Sequence, residues 1–176
     1  MKFILTRHCE TDWNKQGLLQ GWTDIGINEA GWVQAEELAK NLAQLKFKFN
    51  KVVSSDLKRS VETASVLSSY LKIPVLQDRR LRECGFGEFE GKPREKVSEK
   101  YSEVSYDFEP FGGESRDQVL RRHLALLDDL SFDQGEEKDQ NYTLLVGHGT
   151  GLNTVLHHLK KGPLLRGEYA LIDYPV

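Results

Sequence analysis

Short apolar runs alternate along this chain with longer stretches of helical period, and that alternation restricts its fold more than any other feature. Lys2-Phe3-Ile4-Leu5-Thr6, Lys51-Val52-Val53-Ser54, Pro74-Val75-Leu76 and Thr143-Leu144-Leu145-Val146-Gly147 read as short buried strands. Between them lie amphipathic stripes. Ala30, Val33, Leu38, Leu42 and Leu45 mark a helix opened by Asn28, and Leu57, Val61, Ala64, Leu67 and Leu71 mark one opened by Asp56. Val119, Leu120, Leu124, Leu127 and Leu130 follow a Ser115/Gln118 capping box. The last helix runs to Lys161, where Gly162-Pro163 ends it, and Tyr169–Ile172 reads as a final edge strand. Strands separated by helices predict an α/β chain, a three-layer α/β/α sandwich with a mainly parallel sheet. At about 150 residues per domain, residues 1–176 fit a single domain. Gly17–Gly26 reads as a loop, Cys84–Gly113 as irregular with a short helix near Arg94–Glu99, and Asp133–Asn141 as a solvated charged loop.

Sheets of this kind take ligands beyond the carboxyl ends of their strands. The first strand ends in Arg7-His8-Cys9-Glu10-Thr11, and the second is followed by Ser55-Asp56-Leu57-Lys58-Arg59. Leu81-Arg82-Glu83 lies after the third, and Gly147-His148-Gly149 closes the strand near the C-terminus. Two histidines, two arginines and a glutamate are thereby placed on one rim. Guanidinium groups grip a phosphoryl group through charge-assisted hydrogen bonds, and a neutral imidazole attacks phosphorus. A second imidazole hydrogen-bonds the equatorial oxygens, and the helix after Gly149 aims N–H groups at the same anion. A carboxylic acid protonates the leaving alcohol. The positive charge comes from the protein, so this chemistry calls for no metal and no cofactor.

The wider composition narrows the partners. With 24 Lys and Arg against 27 Asp and Glu, the net charge is −3, so no global cationic field recruits nucleic acid or an anionic membrane. Two cysteines, Cys9 and Cys84, make no disulfide framework, and a reducing cytoplasm is the expected setting. Phe3-Ile4-Leu5 is too short for a signal-peptide core, and no run approaches the ~20 apolar residues of a membrane span.

The order of these motifs resembles the histidine phosphatase superfamily, the phosphoglycerate mutase-like group. That family opens with Arg-His-Gly-Glu-Thr-x-x-Asn, here Arg7-His8-Cys9-Glu10-Thr11-Asp12-Trp13-Asn14. Gln20-Gly21-Trp22-Thr23-Asp24, Ser54-Ser55-Asp56-Leu57-Lys58-Arg59-Ser60, Glu62-Thr63-Ala64 and Leu81-Arg82-Glu83 follow in order. So do Phe86-Gly87, Glu90-Gly91, Gly112-Gly113-Glu114-Ser115 and Val146-Gly147-His148-Gly149. The resemblance implies that His8 is the nucleophile, Glu83 the proton donor, and Arg7, Arg59 and His148 the phosphate clamp. It implies substrate or phosphate contacts at Thr11, Asn14, Gln20, Gly21 and Gly149. The activity implied is hydrolysis of a small phosphorylated metabolite, as in the small phosphatase branch that includes alpha-ribazole phosphatase, without metal. Phosphoglycerate mutase is the main alternative, and about thirty residues between Glu83 and Glu114 leave little room for its lid. Cys9 replaces the family glycine beside the nucleophile, which keeps open a non-catalytic phospho-ligand binder.

Other polar and aromatic residues receive plainer readings. Arg121-Arg122 reads as helix surface, and His157 and His158 as a helix end facing solvent. Trp22 and Trp32 read as core, and Phe86, Phe89, Phe108 and Phe111 as either a pocket cover or local packing. One of Arg79, Arg80 and Arg82 is a candidate for drawing in anions. Cys9 and Cys84 follow the nucleophile and the acid directly, and a bridge between them requires Cα atoms within ~7 Å.

Overall fold

The computed structural model describes residues 1–101, 107–132 and 141–174. Five strands, β1 (Lys2–Arg7), β2 (Lys48–Ser54), β3 (Val75–Gln77), β4 (Asn141–Gly147) and β5 (Tyr169–Asp173), form one sheet in the order β3-β2-β4-β1-β5. The first four are parallel, and β5 closes the β1 edge antiparallel, pairing Phe3 with Ile172. The helices are α1 (Asp12–Lys15), α2 (Glu29–Gln44), α3 (Lys58–Leu71), α4 (Arg94–Tyr101), α5 (Arg116–Phe132) and α6 (Gly149–His158).

The three-layer α/β architecture follows from the strand period of two, which sends neighbouring residues to opposite faces. Ile4, Val52, Leu144 and Val146 pack beneath α2 and α3 with Leu38, Leu42, Ala64 and Leu67. Phe3, Leu5, Val53 and Leu145 face the other way, onto Leu126, Leu127 and Leu130 of α5 and Leu152, Val155 and Leu156 of α6. A third cluster, of Leu19, Cys84, Phe86, Phe89, Val97, Phe108 and Val119, fills the space under the irregular segment. Its phenylalanines meet edge to face, with Phe89 and Phe111 centroids 4.9 Å apart. They are local packing rather than a cover for the site.

Several expected details differ. α3 has no side-chain cap of its own, because Asp56 pairs bidentately with Arg82 at 2.7 and 2.6 Å. Asp24, from the loop before α2, accepts the Lys58 N–H at 2.6 Å instead. α2 does start at Asn28, but it buries Gly31, Ala35, Leu38, Ala39 and Leu42 and leaves Val33 exposed, two residues off that face. α6 stops at His158, because Lys160 adopts φ 55° and Lys161 N–H reaches back to the Leu156 carbonyl at 2.8 Å. The α5 capping box forms as expected. The charged loop at 133–140 lies outside the described residues. Among those described, no helix is long and apolar enough to cross a membrane.

Because the chain skips from β1 to β2 and returns to place β4 between them, the carboxyl ends of β1 and β4 are neighbours. α2 fixes the backbone that leaves β1. A Cβ at Gly31 would stand 2.3 Å from the Glu10 carbonyl oxygen, so the helix and the loop pack backbone to backbone. Replacing a helical Gly with Ala ordinarily stabilises by roughly 0.5–1 kcal/mol. Here Gly31→Ala is expected to destabilise, by about 1–3 kcal/mol in urea unfolding, because the added methyl forces the two backbones apart. A gain in stability would show that this contact is not tight.

Candidate active site

The five residues expected at the rim converge there. His8 follows β1 and is buried, its backbone N–H bonded to the Gly147 carbonyl at 2.9 Å. Its Nδ1 lies 2.7 Å from the Cys9 carbonyl oxygen. A carbonyl only accepts, so Nδ1 carries the proton and Nε2 keeps its lone pair. Burial, then Arg59 and Arg7, hold the His8 pKa well below its usual value, so the ring is neutral at neutral pH.

Cys9 does not disturb this arrangement. Its φ is not positive, so a residue with a side chain fits the backbone there. The side chain packs with Ile27, Ala35 and Val66, and its N–H bonds to Thr63 Oγ1 at 3.0 Å. Cys84 packs in a different cluster, and burial raises both thiols, Cys9 to about 11. Neither is a ready thiolate, and the packing does not support a bridge between them.

The His8 and His148 rings lie 5.1 Å apart, centroid to centroid. His148 accepts a hydrogen bond at Nδ1 from Arg59 Nε at 3.3 Å, so its Nε2–H faces Ser55 Oγ at 2.6 Å. Both its nitrogens are engaged by protein groups. Arg59 is fully buried, and it also donates to the Gly21 carbonyl at 2.7 Å and the Thr23 carbonyl at 2.9 Å. Desolvation lowers its pKa to about 10, against the pull of Glu83, Asp24 and Glu90. Five N–H donors less three leave two for a ligand.

Arg7 is less committed. Among the described residues its buried Nε has no partner, and the guanidinium lies against Gly149, where a Cβ would come within 2.7 Å of Nη2. Gly149 therefore serves by having no side chain. Glu83 is buried at the start of α6: Oε1 accepts N–H bonds from Cys84 at 2.9 Å and Gly151 at 3.0 Å, and Oε2 accepts one from Thr150 at 3.2 Å. Those helix N–H groups, expected to face the anion, hold the carboxylate instead.

Thr11, Asn14 and Gln20 bond to one another, and Gly21 serves Arg59. Thr11 caps α1, with reciprocal bonds to Asn14, and its hydroxyl donates to Gln20 Oε1 at 2.9 Å, leaving the Gln20 amide as its donor end. Gly21 has φ +54° and offers its carbonyl to Arg59.

Other residues hold the site in roles that the sequence did not assign. Glu90 accepts from the Trp22 and Thr23 N–H groups, both at 2.9 Å, and from the Thr23 hydroxyl at 2.6 Å, fixing the loop whose carbonyls hold Arg59. Arg122 is no surface residue: it pairs with both Glu114 oxygens at 2.9 Å and donates to the carbonyls of Arg80, Arg82 and Glu83. Its position three residues after Val119 and four before Leu126, on the buried face of α5, was the available signal. Trp22 is 40% exposed rather than core, and its Nε1 donates to the Glu83 carbonyl at 2.9 Å; Trp32 is exposed too. Arg80 and Arg82 are held by Asp78, Asp129 and Asp56. Beside the cluster opens a groove of about 420 Å³ that shares Arg7, Gly149 and Thr150 with it. Among the described residues, no group of three or more His, Cys, Asp or Glu is placed to hold a metal ion.

Two imidazoles, two guanidinium groups and a carboxylate are thus gathered at the carboxyl ends of β1 and β4, a set suited to binding an anion such as a phosphoryl group. Residues 3–174 match the histidine phosphatase superfamily (branch 1), and the chain belongs to that family. It is 31% identical to a 2,3-bisphosphoglycerate-dependent phosphoglycerate mutase of Bacteroides thetaiotaomicron, over 90% of this chain and 77% of the relative. It is 30% identical, with the same coverage, to the uncharacterized phosphatase PhoE of Bacillus subtilis. A mycobacterial glucosyl-3-phosphoglycerate phosphatase superimposes with a TM-score of 0.85 at 25% identity, covering 98% of this chain and 92% of that one.

Three buried histidines, His8, His148 and His123, have pKa values lowered chiefly by desolvation, His123 to about 3. In the unfolded chain each takes a proton near pH 6.5, and in the folded chain only well below it. Stability is therefore whole above pH 6.5 and falls as pH drops, by about 1.4 kcal/mol per pH unit for each histidine. Urea titrations between pH 7.5 and 5 check this, and a flat profile would mean that these rings are hydrated.

Proposed function

We propose that residues 1–176 act as one histidine phosphatase domain that hydrolyses a small phosphomonoester through a phosphohistidine on His8. The observation that carries the reading is the Nδ1–H bond from His8 to the Cys9 carbonyl, which leaves a neutral Nε2 lone pair beside Arg7 and Arg59. In the first step Nε2 bonds to phosphorus and the ester P–O bond breaks. The leaving oxygen takes a proton from Glu83, and Oε2, held by a single 3.2 Å bond, is the oxygen freer to carry it. In the second step Glu83 takes a proton from water, whose oxygen attacks phosphorus as the Nε2–P bond breaks and phosphate departs. Arg7 and the two spare donors of Arg59 stabilise the charge on the equatorial oxygens. His148 orients Arg59, and it reaches the phosphoryl group by exchanging its Ser55 contact.

Because those arginines supply the positive charge, we propose that no metal takes part, and that the partner is a phosphorylated metabolite rather than nucleic acid or membrane. Unbridged Cys9 and Cys84 accord with a reducing cytoplasm. Hydrolysis is favoured over mutase activity by the short span from Glu83 to Glu114. The 31% identity to a mutase is the ground for testing both.

Incubation with an isotopically labelled aryl phosphate should trap an acid-labile, base-stable adduct on the wild type and none on His8→Ala, with turnover unaffected by chelators. A His8→Ala protein that folds and retains its rate would sink the mechanism. Glu83→Gln should slow alkyl phosphates by about 10²-fold or more and nitrophenyl phosphate far less, since only the former needs a proton on departure. Equal losses would assign Glu83 another role. With 3-phosphoglycerate, phosphate release should outpace isomerisation.

A further inference from the structure

The groove beside the catalytic cluster extends well past the space a phosphoryl group needs. It follows one face of α6: Gly149, Thr150, Asn153, Thr154 and His157 line it in turn, and Lys161 and Pro163 close the far end. At the helix rise, Gly149 to His157 spans about 12 Å. Across from α6 stand Arg94, the first residue of α4, and Arg116, the first of α5. Cys84, Val119 and Pro163 give the walls an apolar share.

The charge along this groove is one-sided. Among the described residues, Arg7, Arg94, Arg116, His157 and Lys161 line it, and no Asp or Glu does. At the near end burial lowers the pKa of Arg7 and Arg166, Glu83 and Glu10 oppose it, and the nearby Arg94 adds to the lowering of both. Arg116 and Lys161 stand at the surface, and among the described residues neither has an ion-pair partner. By contrast, Arg80, Arg82, Arg121 and Arg122 all pair with carboxylates. In a chain of net charge −3, unpaired cations gathered on one groove create a local field for an anion. Cations beside the cluster and others farther along α6 fit an elongated molecule carrying a negative group at each end.

We propose that this groove is a substrate subsite. The phosphomonoester this site takes bears a second anionic group, a carboxylate or a second phosphate, roughly 10 Å from the reacting phosphorus, held by Arg116, Lys161 and His157. The proposal rests on the phosphatase reading for what sits at His8, and it deepens that reading by excluding compact phosphomonoesters as the preferred substrates. Arg116 and Lys161 act here as specificity determinants.

The test uses the full chain and three ladders of probes of increasing alkyl length: plain alkyl phosphates, ω-carboxyalkyl phosphates and α,ω-alkanediol bisphosphates. A second anion should raise kcat/KM at least about tenfold over the plain ester in long chains and little in short ones, mostly through KM. The carboxylate and bisphosphate ladders show which anion is preferred. The double variant R116E/K161E should cut that advantage at least about tenfold, with circular dichroism confirming its fold. Absence of any length-dependent advantage, or an advantage that survives in the double variant, overturns the subsite. The matching phosphonates, titrated by calorimetry, read binding without turnover. Length-dependent tightening of the ω-carboxyalkyl phosphonates supports the subsite even if no ester is cleaved, a result that would instead count against the phosphatase reading.

Discussion

A guanidinium group with no exposed surface has to find all its compensation inside the protein, and Arg59 is such a group. Its hydrogen bonds go to the carbonyls of Gly21 and Thr23 and to His148. Those three partners belong to the loop before α2 and to the junction of β4 with α6. Satisfying one buried charge therefore ties together the segments that surround the candidate site. Glu90 reinforces the tie by holding the N–H groups of the same loop, at a position where Gly21 leaves room that a Cβ would take from its carboxylate.

The other half of the site is held by a second charged group with many bonds. Arg122 spans from Glu114 to three carbonyl acceptors, of Arg80, Arg82 and Glu83, in the turn carrying Glu83. Trp22 joins the halves, since its backbone N–H meets Glu90 and its indole N–H meets the Glu83 carbonyl. Irregular backbone needs partners for its polar groups as much as a helix or strand does. Here charged side chains provide them, so loop segments without regular structure hold the groups of the candidate site in place.

Electrostatics at the centre of the site follows from this burial. Two buried imidazoles beside two guanidinium groups stay unprotonated at neutral pH, because burial and the neighbouring positive charge lower their pKa values. That is the state a nucleophilic nitrogen requires, and the arginine charge is also what a phosphoryl dianion requires. Cys9 tolerates the position of a family glycine because its side chain turns toward α2 and α3, away from the His8 ring. The groove beside the cluster continues the positive field along α6.

The strands, the main helices and the five residues at the rim were legible in the sequence. Period and capping depend on residues a few positions apart, and the carboxyl-end rule follows from strand order alone. The motif order then separated His8 and His148 from His123, which sits in α5 with its Nδ1 on the Val119 carbonyl. What the sequence left undecided has one physical character: partners distant along the chain. Arg122 lies about forty residues from the turn it secures, and on sequence it reads as helix surface. Asp56 leaves the helix end it seemed placed to cap, because folding brings Arg82 within 2.7 Å of it and sets Asp24 against the Lys58 N–H. The N–H groups that open α6 bond to Glu83, from another loop, rather than remaining free for a ligand. The basic groove exists only once α4, α5 and α6 share a wall. Local pattern decides which elements form, while the destination of each buried charge is decided by which segments the sheet order brings together.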